Sequence, residues 1–182
     1  TDYNGMNLAQ ITELKGKPPT PENAAEVLMN LVYAGGGSGI YHCLNEEDVK
    51  RIMAHPFVMH ASDGSTIEFG KAQPHPRSYG TYPRVLSRYV REQGIISLPE
   101  SIRKMTKLPA DVLGLKDRGQ IKNNFWADLV VFNPNTIIDN ATWENPHQYP
   151  SGISWVIVNG KIAVDHGTWT DSLPGKVLKH RP

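Results

Sequence analysis

Ala24, Val27, Leu28, Leu31 and Val32 recur at the three-and-four spacing of one helix face. Thr20 stands before them as an N-cap and Pro21 takes the first helical position, where a missing N–H costs nothing. Gly35-Gly36-Gly37 ends the pattern. Residues 39–44 then read as a short strand. Asn45 caps a second helix whose first turn holds Glu46, Glu47 and Asp48, the anions that a helix N-terminus favours. Val49, Ile52 and Met53 form its apolar stripe, and His55-Pro56 stops it. The continuous apolar run of residues 57–61 is the next predicted strand. Strand, helix and strand within about two dozen residues predict a βαβ unit with parallel strands.

Residues 62–80 lack apolar periodicity, and loops of that length in compact domains tend to be functional or disordered. Thr81 with Pro83 predicts a helix start, and Val85, Leu86, Tyr89 and Val90 share a face that ends at Gly94. Ser97-Leu98-Pro99-Glu100 has the spacing of a capping box, with Ile102 and Met105 inward. Residues 110–113 predict a short helix closed at Gly114. The character changes after Lys116. Residues 127–132 read as a strand closed by Asn133-Pro134, and Asn159-Gly160 between two apolar runs predicts a type I′ hairpin. Residues 1–116 thus alternate helix and strand, and residues 117–182 form a small β region.

Composition narrows this picture without choosing a function. The chain has 182 residues, 39% hydrophobic and 20% charged, with a net charge of +1. Lys and Arg are dispersed, so neither a nucleic-acid footprint nor a basic membrane patch is expected. No apolar run approaches the ~20 residues of a membrane helix. The single cysteine, Cys43, excludes an internal disulfide, and no basic-then-apolar leader follows Thr1. A cytoplasmic protein is the expectation.

The predicted strand at residues 57–61 runs into Ser62-Asp63-Gly64, so a buried-type strand ends on a carboxylate. In barrel enzymes the loops at strand C-termini build the active site. Asp-Gly is also ordinary turn chemistry, and both readings stand on the residues alone. Arg77 lies 14 residues after Asp63 within His75-Pro76-Arg77-Ser78-Tyr79-Gly80-Thr81. A carboxylate and a cation after one strand make a candidate reaction centre and a candidate anion clamp. Gly35-Gly36-Gly37-Ser38-Gly39 precedes a strand instead of linking strand to helix, which makes it a poor phosphate cradle.

Several segments, in order, resemble the C-terminal part of N-acyl-D-amino-acid deacylases, the D-aminoacylase-type members of the amidohydrolase superfamily. They are Ala61-Ser62-Asp63-Gly64, His75 through Arg84, Ser101 through Thr106, Ala127 through Phe132, and Val158-Asn159-Gly160. The Asp-Gly and His-Pro-Arg-x-Tyr-Gly-Thr pair is the specific part; the last two segments are shared across the superfamily. The resemblance implies an α/β fold: the last strands and helices of a metal-dependent (β/α)₈ barrel, then part of a small β-sandwich. A full barrel takes about 250 residues, so the expected object is a C-terminal fragment or subunit whose partner is the N-terminal part of the same enzyme. The family's His-x-His pair has no counterpart here, and Cys43 does not match its bridging cysteine.

The resemblance further implies hydrolysis of the N-acyl amide bond of N-acyl-D-amino acids with one or two zinc ions, bound mostly by residues outside this chain. Asp63 matches the last-strand aspartate, the proton carrier and a possible metal ligand. Arg77 matches the arginine on the substrate carboxylate, a bidentate task that suits a guanidinium. Gly64 is a further expected substrate contact, and His75 either contacts substrate, orients Arg77 or stabilises the loop. Compared with the family, the loop carries a small insertion near Ile67 to Ala72. Structural roles are expected for Tyr79, His42, His55, His60, His147, His166 and His180, and packing within the β region for Trp126, Trp143, Trp155 and Trp169. A cyclic-amide hydrolase of the dihydroorotase or hydantoinase type, and a non-catalytic subunit completing a barrel, are the alternatives.

Overall fold

The computed structural model describes residues 3–179; His180 lies outside them. Local signals set most of the helices. Helix α1 (Leu8–Leu14) opens on a reciprocal capping box between Asn7 and Gln10. Helix α2 (Pro21–Tyr33) starts where Thr20 Oγ1 accepts the Asn23 N–H, and α3 (Glu46–Ala54) where Asn45 Oδ1 accepts from Glu47 and Asp48. Both starts agree with the sequence reading.

Helix α4 (Arg77–Arg84) does not. It begins four residues before the expected Thr81, whose hydroxyl instead donates back to the Arg77 carbonyl at 2.9 Å. Thr81 and Pro83 lie inside the helix. Pro83 supplies no N–H to the Tyr79 carbonyl, and directly after it the chain winds as a π-helix through Val85–Glu92. The widened ladder closes with Gln93 N–H on the Arg88 carbonyl at 3.0 Å. Helices α5 (Leu98–Met105) and α6 (Lys107–Val112) follow. Only half of the expected box forms on α5. Ser97 Oγ accepts from Glu100 N–H, while the Glu100 carboxylate pairs with Arg103.

The chain is α/β with one small antiparallel sheet, in order β1 (Leu129–Phe132), β2 (Ile153–Val158), β3 (Lys161–Asp165), β4 (Thr168–Trp169). The β2–β3 turn has positive φ at both Asn159 (50°) and Gly160 (79°), as a type I′ turn requires. The Asp128 carboxylate accepts the Asn159 N–H and pairs with Arg118, whose guanidinium also donates to Asn159 Oδ1 at 2.7 Å. The turn is thereby pinned to the start of β1. The short strand β4 had no signal in the pattern.

Residues 39–44 and 57–61 are not strands, and the expected parallel βαβ pair is absent among the described residues. An apolar run becomes a strand only where another strand accepts its backbone. The second segment instead lies along α5. His60 N–H donates to the Lys104 carbonyl at 3.2 Å, and Arg103 donates to the Pro56 carbonyl at 2.8 Å. Lys104 is fully buried, and its ammonium donates to the carbonyls of Met53 and His55 at the end of α3. The core lies above this clamp: Met53, Val85, Tyr89 and Ile96, flanked by Val49, Val90, Ile95 and Met105. Burying each of the four contributes about 1.5–3 kcal/mol.

Candidate functional site

Clamped α3 and α5 fix the path of the chain up to Ala61. The backbone then turns at Asp63, whose φ of +46° is in the left-handed region that Asp and Asn tolerate best. Gly64 follows, and a Cβ there would lie 3.0 Å from Ser78 Cα and 3.3 Å from the Arg77 carbonyl. A side chain there would push the turn off α4 by a few tenths of an ångström. Ser65 N–H donates to Ser78 Oγ at 3.2 Å and fastens the contact.

This approach brings Asp63 and Arg77 together. Arg77 Nη2 lies 2.7 Å from Asp63 Oδ2. The aspartate side chain is 85% exposed and the arginine 43%, so the pair adds little to stability. Arg77 is the first residue of α4, not a loop residue as expected. The first turn of α4 is in turn capped by a side chain: His75 Nδ1 accepts the Arg77 N–H at 3.0 Å. The His75 ring meets Trp143 edge-on at 4.6 Å, and His42 meets the same indole at 4.7 Å. Partial burial, then the Arg77 and His42 charges, hold the His75 imidazole below its ordinary pKa of 6.5, against an opposing pull from Asp63. It is thereby biased to the neutral form that accepts this hydrogen bond.

An open depression of about 290 Å³ is lined by Ser65, Thr66, Ile67, Ser78, Tyr79 and Tyr149, from segments that directly follow Gly64 and Arg77 in the chain. Tyr79 Oη sits 2.8 Å from His147 Nδ1, and burial with Tyr149 nearby raises its phenol pKa. Phe69 stacks on Tyr149 at 5.2 Å and meets Tyr79 and His147 edge-on. Beneath α4, Asp139 contacts Gly80 so closely that a Cβ there would overlap its carboxylate, and Arg84 lies 3.9 Å from it. Asp139 and His147 had no motif to mark them, and Ser78 lay inside the His75 to Thr81 segment without a role assigned to it. The signal available was a cluster of His and aromatics between two predicted strands, a region without apolar periodicity.

The remaining histidines are scattered. His55 packs near Phe57, and His166 pairs with Asp165 at 2.6 Å beneath Trp155. His60 has a buried Nε2 with no hydrogen-bond partner among the described residues, and burial followed by the Lys104 charge lowers its pKa from 6.5. Trp143 joins His42 to His75 and does not simply pack the β region, whereas Trp126 lies under Arg118 and Lys176. Cys43 is an exposed free thiol. Among the described residues no three His, Cys, Asp or Glu side chains gather to hold a metal ion. No helix among them is long and apolar enough to cross a membrane.

Comparison with known proteins places this geometry. The model of the amidohydrolase family matches residues 24–164. The chain is 44% identical over 178 residues to N-acyl-D-glutamate deacylase of Alcaligenes xylosoxydans xylosoxydans, covering 98% of this chain and 34% of that protein. It is 38% identical over 177 residues to D-aminoacylase of the same organism, with 97% and 34% covered. The crystal structure of D-aminoacylase superposes with a TM-score of 0.78 at 37% identity, over 92% of this chain and 33% of that one. N-acyl-D-glutamate deacylase from Bordetella bronchiseptica, solved with zinc and a phosphonate mimic of the tetrahedral intermediate, gives 0.78 at 38% identity over 94% and 34%. The chain spans about a third of the length of these relatives. The residues that converge on Asp63 and Arg77 thus lie within the matched region, and the chain belongs to the amidohydrolase family.

Proposed function

We propose that this chain is the C-terminal part of a metal-dependent hydrolase that cleaves the N-acyl amide bond of N-acyl-D-amino acids. The observation that carries the reading is the meeting of Asp63 and Arg77 at 2.7 Å, with the lining of an open depression directly following Gly64 and Arg77 in the chain. In this reading residues 1–116 belong to a (β/α)₈ barrel and residues 117–182 to a β-sandwich. The remaining barrel strands, supplied by the N-terminal part of the enzyme, cover residues 39–44 and 57–61. Tyr41, Leu44, Phe57 and Met59 stand exposed there, a band of apolar surface of the kind that monomers seldom leave open.

The described residues do not fit a zinc ion by themselves: Asp63 is a single carboxylate already engaged by Arg77. Zinc would therefore be held mostly by residues outside this chain, with Asp63 as one possible ligand, and the chemistry assigned here is what its own side chains do. Amide hydrolysis needs a base for the attacking water and an acid for the leaving amine. One carboxylate performs both in sequence by taking a proton and returning it. Arg77 receives the α-carboxylate of the substrate, with two parallel N–H donors on two oxygens. That carboxylate replaces Asp63 as the partner of the guanidinium, so occupancy of the clamp frees the base. His75 and Gly64 hold the clamp in place, the first by capping α4 and the second by permitting close approach.

The test is assay of the full-length enzyme on N-acetyl-D-amino acids, their L-enantiomers and hydantoins side by side. Hydrolysis of the D-amides alone is expected; preferential hydantoin opening overturns the assignment. Asp63→Asn should lower kcat by about 10²–10⁴, and Arg77→Ala should raise KM more than it lowers kcat. The 182-residue chain by itself should show no deacylation, and activity in it refutes the fragment reading. The native polypeptide should weigh about 50 kDa or more and carry zinc, as a barrel plus a sandwich requires.

A further inference from the structure

The loop that leads from Asp63 to Arg77 contains a backbone turn with two left-handed positions, Gly70 at φ +81° and Ala72 at φ +54°. Alanine in that region is strained and persists only where its surroundings over-determine it. The surroundings here are one imidazole from a distant part of the chain. His147 lies between β1 and β2, 68 positions from Tyr79. Its Nδ1 accepts the Gly70 N–H at 3.2 Å and is 2.8 Å from Tyr79 Oη. Its Nε2 lies 3.2 Å from the Ala72 carbonyl.

These contacts assign the tautomer. A carbonyl only accepts, so the proton is on Nε2. An amide only donates, so Nδ1 carries the lone pair, and the Tyr79 hydroxyl donates to it as well. The ring therefore grips both sides of the strained turn and the second residue after Arg77 on α4. Phe69 covers the assembly, 5.4 Å from His147 and 5.2 Å from Tyr149. None of these groups belongs to the core around Met53, Val85, Tyr89 and Ile96. Two of them, Tyr79 and Tyr149, line the depression together with Ser65, Thr66, Ile67 and Ser78.

We infer that His147 is a positioning residue. Its imidazole latches the Gly70–Ala72 turn to Tyr79 of α4 and so fixes the wall of the depression whose lining follows Gly64 and Arg77. The chemical class received there is the part of the substrate adjoining the carboxylate that Arg77 binds, and in that respect the inference rests on the deacylase reading. The latch itself does not.

Two arms separate them. In the full-length enzyme, ring-nitrogen NMR of His147 should show a protonated Nε2 and an unprotonated Nδ1. His147→Phe keeps an aromatic ring beside Phe69 and removes all three hydrogen bonds. Gly70 amide exchange should then speed up about tenfold or more while exchange in α5 stays unchanged. His147→Gln, which has both an acceptor and a donor, should restore part of the protection. An Nδ1–H tautomer, or unchanged Gly70 exchange in His147→Phe, overturns the latch. In the full-length enzyme, His147→Phe should raise KM for an N-acyl-D-amino acid about threefold or more with kcat within about twofold, and His147→Gln should recover KM. Faster Gly70 exchange with no change in KM overturns the positioning role. A wild-type enzyme without deacylase activity sinks the deacylase reading, and the exchange arm still decides the latch.

Discussion

Among the described residues Lys104 has no ion-pair partner, and its ammonium donates to the carbonyls of Met53 and His55. Burial lowers its pKa from 10.5, with Glu100 pulling the other way. The side chain closes the end of α3, where carbonyls lack helical donors. Lys104→Met should therefore leave those carbonyls bare and cost about 1–3 kcal/mol per lost partner, read as a lower urea midpoint at unchanged slope. Gly80 carries a steric rule of another kind. Gly80→Ala would place a methyl on the Asp139 carboxylate, whose Oδ1 is already held by the Ala141 N–H at 2.9 Å. A loss of about 1–3 kcal/mol is expected, and a double substitution with Asp139→Ala should recover most of it. Neither residue was legible in the sequence. A charged residue on a predicted helix reads as a solvent face, and Gly80 ended the segment read as a loop. Their partners come from 51 and 59 positions away. Asp63 and Arg77, by contrast, announced themselves by residue type and motif, and the structure brings them into contact.

Elements with local caps were readable, and those that depend on pairing were not. Thr20, Asn45 and Ser97 act on donors two or three residues away, so α2, α3 and α5 begin where the pattern places them. Helix α4 misled because Thr81-x-Pro83 is a good start signal, while the start in use is capped by the His75 ring through Arg77 N–H. That cap makes a prediction about pH. His75 and His60 are both held below 6.5 in the folded chain, so folding favours their neutral forms. Their contribution is complete above 6.5 and is lost as the pH falls through the depressed folded values. The urea midpoint should decline between pH 7 and pH 5, and His60→Leu should flatten that decline in part. Glu47 and Glu100 act in a lower window, because Lys50 and Arg103 hold them below their ordinary 4.5.

For the molecule as a whole, the apolar runs at residues 39–44 and 57–61 were visible, yet no strand pairs with them among the described residues. The β region read more faithfully, because Asn159-Gly160 sets a hairpin without outside help. The clamp on α5 links distant parts of the chain. Lys104 reaches back 51 residues to Met53 and 49 to His55, and Arg103 reaches back 47 to Pro56. During synthesis at about 5–20 residues per second, the segment ahead of Asp63 leaves the ribosome roughly 2–10 s before the helix that will hold it. Through that interval Met53 and Val49 of α3 lack Ile96 and Met105, which pack with them in the folded chain, and the end of α3 lacks Lys104. A nascent chain halted before Ser97 should bind hydrophobic-segment chaperones, and one extended past Met105 and clear of the exit tunnel should bind them less.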